Sequence, residues 1–299
     1  MKTLMVPVDF SDVSEKQLRA VNALVDPEGG AVEVFHVLNP FPGYMGYGAD
    51  IGSAPMSEEE QLKGLQEAAD LLRKYVDKPE VTFSSALIKG EVIPKILAEI
   101  ESRKADIVVM GSHGHGALYD LMIGSTLEGV LHRCARPVLI VPSQGEGEPL
   151  SKIKSIMVSV DFSDVSQELL RWASQIAQLH GSEVHLVHVH IPATELAEGP
   201  AITSGLMLEV DETQIEQAKT ALEKLRKDVR IDEAHVHTHV RCGHVTHELL
   251  NLQDEHKPDI TIMGSHGHGA AYNLLVGSAT QGVLHKTHLP VLVIPQSTS

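Results

Sequence analysis

Residues 107–142 read IVVMGSHGHGALYDLMIGSTLEGVLHRCARPVLIVP, and residues 260–295 read ITIMGSHGHGAAYNLLVGSATQGVLHKTHLPVLVIP. From Gly111 and Gly264 onward, 19 of 32 positions are identical without a gap. Each copy is one mechanical unit. Four apolar residues, Ile107 to Met110 or Ile260 to Met263, fit a parallel strand buried on both faces. The loop GSHGHG follows. Gly124-Ser125 or Gly277-Ser278 then opens a helix, and an apolar strand after Pro137 or Pro290 closes the unit. A strand that empties through glycines into a helix N-terminus gathers backbone N–H groups, and the helix dipole adds about half a positive charge. That arrangement holds phosphate. The loop has no Lys and is not a Walker A site. Charge neutralisation falls to amides, the dipole and a divalent ion such as Mg²⁺.

The repetition extends to the whole chain. Asp9 aligns with Asp161, His36-Val37 with His188-Val189, and Gly90 with Gly243. The expected domains are residues 1–143 and 152–299, joined by the polar, Gly/Pro-containing linker 144–151. In the first half, strands are expected near residues 4–8, 31–38, 81–88, 107–110 and 138–141. Helices are expected between them, the second opened by the capping box Ser57–Glu60. The second half repeats this order, with strands near 153–160, 183–190, 234–242, 259–263 and 291–294. The fold class is α/β, two tandem doubly wound domains. Each has a five-stranded parallel sheet in the order 3-2-1-4-5. Ligands bind such sheets at the carboxyl ends of strands one and four. There Asp9 meets the Gly111 loop and Asp161 meets the Gly264 loop.

The net charge of −16 is shared, with 13 Lys+Arg against 22 Asp+Glu in residues 1–150 and 11 against 18 in the rest. So acidic a chain argues against nucleic acid or an anionic membrane surface as a partner. Two cysteines, Cys134 and Cys242, make no disulfide framework and favour a reducing cytoplasm; both are expected to be core or semi-buried thiols. The N-terminus is not a signal peptide, because Pro7 and Asp9 interrupt its apolar run. No stretch is apolar enough to insert into a membrane.

The spacing Gly111-x2-Gly114-x9-Gly124-Ser125, repeated as Gly264-x2-Gly267-x9-Gly277-Ser278, resembles the nucleotide-binding motif of the universal stress protein family. So do the openings MVPVDFSDVS and MVSVDFSDVS, the two His-Val pairs, and the PVLIVP and PVLVIP endings. The resemblance covers both halves. It implies a tandem member with an adenine nucleotide alpha hydrolase-like sheet, binding ATP or AMP at the switch point. Carried over residue by residue, Asp9 and Asp161 lie near adenine and ribose. Pro7, Val8, Val37 and Met110 line one adenine slot, and Val160, Val189 and Met263 the other. Gly111, Gly114, Gly124, Ser125 and Thr126 wrap ribose and phosphates, as do Gly264, Gly267, Gly277, Ser278, Ala279 and Thr280. Where the second half offers Thr280 after the Gly-Ser pair, the first has Leu127, which favours the second site. The resemblance further implies a stress-response regulator with an unknown protein partner. It implies pairing of the two terminal strands within one chain as a pseudo-dimer, and association as a homodimer.

Each residue also has a plain structural reading. The two aspartates either meet a ligand or cap the next turn, and Ser125 and Ser278 either bond phosphate or cap their helices. His113 and His266 either touch phosphate or face solvent. No general base is aimed at a γ-phosphate, so fast ATP turnover is not expected. Neither the His-x-Gly-His nor the Ser-Gly-Gly-x-Asp loop of related transferases and ligases follows strand one. A nucleotide-independent scaffold is the competing function.

Histidine is uneven, with 14 of 18 in residues 151–299. His235, His237 and His239 alternate along strand three of the second half, beside His185, His188 and His190 on strand two. Together they are a candidate Zn²⁺ site. Its alternative is a polar sheet edge that discourages aggregation.

Overall fold

The computed structural model describes residues 1–39, 56–113, 123–143, 150, 152–192, 205–266 and 276–296. It divides into two compact units. The first holds Met1–Lys152 together with His288–Pro295, and the second holds Ile153–Thr287 and Gln296–Ser299. Most of the expected linker lies outside the described residues.

In the first unit, β1 (Thr3–Pro7), β2 (Ala31–Leu38), β3 (Thr82–Lys89), β4 (Ile107–Gly111) and β5 (Val138–Val141) alternate with α1 (Asp12–Leu24), α2 (Glu58–Tyr75), α3 (Val92–Ser102) and α4 (Ser125–Leu131). The strand order is 3-2-1-4-5, all parallel. The unit's sixth strand, β10 (Val291–Ile294), runs antiparallel to β5 with Leu292 opposite Leu139. The central strands are apolar on both faces because helices cover both. Leu4, Met5, Val6, Val34, Phe35, Val108 and Leu139 are all fully buried. Each such side chain contributes roughly 1.5–3 kcal/mol by leaving water. The capping box at α2 is present: Ser57 accepts from the Glu60 amide, and Glu60 accepts from the Ser57 amide.

The second unit repeats this order with β6 (Ser155–Ser159), α5 (Val165–His180), β7 (Glu183–His190), α6 (Gly205–Arg226), β8 (Val236–Cys242), α7 (Val245–His256), β9 (Ile260–Gly264) and α8 (Ser278–Lys286). Its strands run β9-β6-β7-β8, all parallel. Among the described residues, no helix is long and apolar enough to cross a membrane.

One aspartate in each unit ties the first strand to the turn before the fourth. Asp106 Oδ2 accepts from the amides of Lys2 (2.7 Å) and Thr3 (3.0 Å), and Asp259 Oδ2 accepts from those of Lys154 (2.5 Å) and Ser155 (2.9 Å). Hydrogen bonds to a charged acceptor are the stronger kind. Asp106→Ala is therefore expected to lower unfolding free energy by about 1–2 kcal/mol at this half-exposed position. Urea titration reads the change as a lower midpoint with unchanged slope.

Candidate functional site

Strand β1 ends in Pro7, and the chain then turns sharply. The Val8 amide donates to Phe35 O at 2.9 Å, and the His36 ring Nδ1–H donates to Val8 O at 2.6 Å. Phe10 has φ of +65°, left-handed for a bulky residue. Its ring lies 4.5 Å from the His36 ring, centre to centre. The second unit repeats the clasp. His188 Nδ1–H donates to Val160 O at 2.9 Å, Phe162 has φ of +62°, and its ring lies 4.4 Å from that of His188. A non-glycine residue in this region costs of order 1 kcal/mol and persists only where its surroundings hold it. Here the holding group is the aspartate. Asp9 Oδ1 accepts from the Ser11 amide (3.1 Å), the Ser11 hydroxyl (2.6 Å) and the Ser14 hydroxyl (3.3 Å). Asp161 Oδ1 accepts from the Ser163 amide (3.0 Å) and hydroxyl (2.6 Å). Ser11 is the N-cap residue of α1 but makes no side-chain cap bond, because its hydroxyl serves Asp9 instead.

The fourth strand delivers the loop to the same end of the sheet. Ser112 follows β4, and its carbonyl accepts the Gly124 amide at 2.9 Å; Ser265 and Gly277 do the same at 2.7 Å. Gly124 and Gly277 are the N-cap residues of α4 and α8, with no side-chain cap bond at either. Ser125 and Ser278 are the first helical residues, exposed, so the reading of them as caps is corrected. Met110, Val8 and Val37 are 5–7 % exposed, and Val160, Val189 and Met263 are 2–8 % exposed; Pro7 is buried. These apolar positions lie at or next to the carboxyl ends of β1, β2 and β4 and of β6, β7 and β9. Gly114 and Gly267 fall outside the described residues.

Three residues turn out to have other partners. The His113 Nδ1 stands 3.0 Å from the Ser112 hydroxyl and 3.2 Å from that of Ser143. His266 Nδ1 stands 3.0 Å from the Ser265 hydroxyl. Both histidines stiffen the strand end. Thr280, read as a phosphate contact, is 3 % exposed and its hydroxyl donates to Gly264 O at 2.8 Å. Its counterpart Leu127 is 2 % exposed. The difference between the halves is thus a buried latch on the strand, and it gives no reason to prefer the second site. A hollow of about 400 Å³ lies between α5 and α6, lined by Phe162, Ser163 and Gln167 among others. None of its lining residues is an expected nucleotide contact.

The metal candidates are rearranged. His235 ends a 3-10 turn (Glu233–His235) before β8 begins, so it is not on the strand, and His188 belongs to the clasp on Val160. His237 is exposed and His190 is 9 % exposed. His239 instead meets His185 of β7 and His256 at the end of α7. Burial first, and next the neighbouring His256 ring, lower the pKa of both His185 and His239 to about 4. Among the cysteines, burial pushes the Cys134 thiol up, while Cys242 is exposed, which corrects its expected burial.

A sequence model described as the Universal stress protein family matches residues 1–142 and again residues 152–295. A universal stress protein of Mycobacterium tuberculosis is 28 % identical over 236 residues, covering 79 % of this chain and 75 % of that protein. One of Mycolicibacterium smegmatis is 23 % identical over 298 residues, covering 97 % and 96 %. The crystal structure of a universal stress protein from Archaeoglobus fulgidus shares the fold, with a TM-score of 0.65 at 20 % identity, covering 99 % of this chain and 97 % of that one. With the family matched once in each half, the chain belongs to the universal stress proteins and carries their domain twice.

Proposed function

We propose that this chain is a stress-response regulator that binds ATP or AMP where β1 meets β4 and where β6 meets β9. The observation that carries the reading is the pair of glycine-started helices. Each is held against the end of the fourth strand by one backbone bond, with no side chain capping it. Their first amides have no intrahelical acceptor by position and attract an anion. Phosphate oxygens accept from the amides after Gly124 and Gly277, with Ser125, Thr126, Ser278 and Ala279 around them. Asp9 and Asp161 turn toward ribose and adenine. The purine lies on Pro7, Val8, Val37 and Met110, or on Val160, Val189 and Met263. Mg²⁺ accompanies the phosphates. Turnover is slow, and the bound nucleotide alters contacts with a protein partner in the cytoplasm.

A second reading rests on the antiparallel pairing of Val138–Val141 with Val291–Ile294. Here two terminal strands cover each other's edges, and strand-to-strand pairing of this kind joins protein surfaces without any ligand. On that reading the protein is a homodimeric scaffold that needs no nucleotide.

Thermal unfolding with millimolar ATP or AMP separates the two. A ligand at 100 times its Kd adds about 2.7 kcal/mol, a rise of roughly 5–10 °C for domains of this size. Mass spectrometry of small molecules released on denaturation identifies any nucleotide carried through purification. Absence of both a shift and a released nucleotide leaves the scaffold reading.

A further inference from the structure

We propose that His185, His239 and His256 form a binding site for a divalent transition metal, with Zn²⁺ as the ion that fits. The three come from different elements of the second unit, β7, β8 and the C-terminal end of α7. Their candidate ligand atoms all lie within 4.8 Å of one another. His185 Nδ1 and His239 Nε2 are 3.0 Å apart, and the His256 ring centre lies 4.8 Å and 4.4 Å from those of His185 and His239. Nitrogens around tetrahedral Zn²⁺ stand about 3.3–3.4 Å apart, given Zn–N bonds of about 2.0–2.1 Å. The 3.0 Å between His185 Nδ1 and His239 Nε2 is close to that spacing, and rotation of the His256 ring is the adjustment the ion would require. His256 Nε2 is buried without a hydrogen-bond partner among the described residues, the Glu255 carboxylate oxygen standing 3.6 Å away. A buried, unpaired nitrogen is costly unless something accepts its lone pair. His185 is 9 % exposed, so the site is half-sheltered.

The first unit supplies the contrast. Aligning the halves places Glu33 at His185, Ser84 at His237, Ala86 at His239 and Arg103 at His256. The registers agree, since Glu33 faces Ser84 across the strands as His185 faces His237. There Arg103 Nε pairs with Glu33 Oε2 at 3.2 Å, and the Ser84 hydroxyl donates to the same oxygen at 3.2 Å. One position in the fold is polar in both units. In the first, opposite charges neutralise each other. In the second, both charged partners are replaced by imidazoles and a third imidazole takes the place of Ala86. An ion pair closes such a spot, whereas three neutral nitrogens leave it open to a cation. Imidazole donors suit Zn²⁺, Ni²⁺ and Cu²⁺ and do not suit Mg²⁺ or Ca²⁺. The fourth position falls to water. Bound metal joins the outer strand β8 to β7 and to the end of α7.

The test uses the full chain without a histidine tag, stripped with chelator and titrated with Zn²⁺ by calorimetry and with Co²⁺ by visible absorption. The expected result is one tight equivalent per chain, a tetrahedral Co²⁺ band and a higher unfolding temperature. The double change His185→Glu with His256→Arg installs the ion pair that the first unit already accommodates, so the fold is kept. It is expected to weaken Zn²⁺ by more than the roughly 10- to 100-fold that even outer-shell changes cost. A single change, His239→Ala, is expected to do the same. No stoichiometric binding by the stripped wild-type chain overturns the proposal. So does undiminished binding in both variants, which assigns the metal to other histidines such as His235 and His237.

Discussion

Asp9→Ala is expected to cost about 2–4 kcal/mol of stability, while Asp9→Asn costs under about 1 kcal/mol. Oδ1 of Asp9 accepts three hydrogen bonds and in doing so holds the turn that carries Phe10 at φ +65°. Alanine leaves all three donors without this acceptor and frees a left-handed phenylalanine to relax. Asparagine keeps an acceptor oxygen in place and loses only the charge. A structural aspartate would show nothing further. If it also contacts adenine or ribose as proposed, Asp9→Asn loses nucleotide affinity at the first site while its unfolding midpoint holds. The pair of measurements, chemical unfolding without ligand and nucleotide titration, separates the two roles. Asp161→Asn gives the same readout in the second unit, where the aspartate likewise accepts from an amide and a hydroxyl.

Gly111→Ala is expected to destabilise by about 1–3 kcal/mol, and Gly264→Ala by less than about 1 kcal/mol, although the two glycines sit in the same GSHGHG motif. A Cβ on Gly111 would come within 2.6 Å of Val13 Cγ1. Val13 is 8 % exposed and β-branched on a helix, so it strongly prefers one rotamer and yields at a cost. A Cβ on Gly264 would meet Val165 Cγ1 at 3.5 Å, ordinary contact, and His266 O at 3.0 Å. Gly111 is therefore held by packing against α1, whereas at Gly264 a methyl group needs the His266 carbonyl to give by only a few tenths of an ångström. Differential scanning calorimetry of the two variants reads the contrast directly; equal losses would mean the glycines serve only the turn.

The strands were legible because parallel strands covered on both faces must be apolar along their whole length, as at Leu4–Val6 and Val108–Met110. The capping box at Ser57 was legible because both of its bonds are local in sequence. The roles of single polar residues were not. His36 and His188 stood out only as part of a recurring pattern, and His188 also as a metal candidate. Their work as clasps on Val8 and Val160 depends on the register of two strands, which periodicity does not encode. Thr280 was read from its place after Gly-Ser, yet its hydroxyl turns inward to Gly264, because that side of the helix faces the strand. His256 was missed because strand alternation says nothing about which helix end comes to rest over the sheet. A signal did exist: aligning Glu33 and Arg103 with His185 and His256 shows an ion pair traded for two imidazoles.

The pairing of β10 with β5 has a consequence for synthesis on the ribosome. The first unit includes a strand, Val291–Ile294, that lies far along the chain from the strand it pairs with. After Val141 emerges, about 150 further residues precede Val291, which takes on the order of 10–30 s at typical rates of translation. For that interval the nascent first half carries a bare β5 border, open to pairing with a neighbouring nascent chain. A message truncated before Val291 leaves that border permanently uncovered.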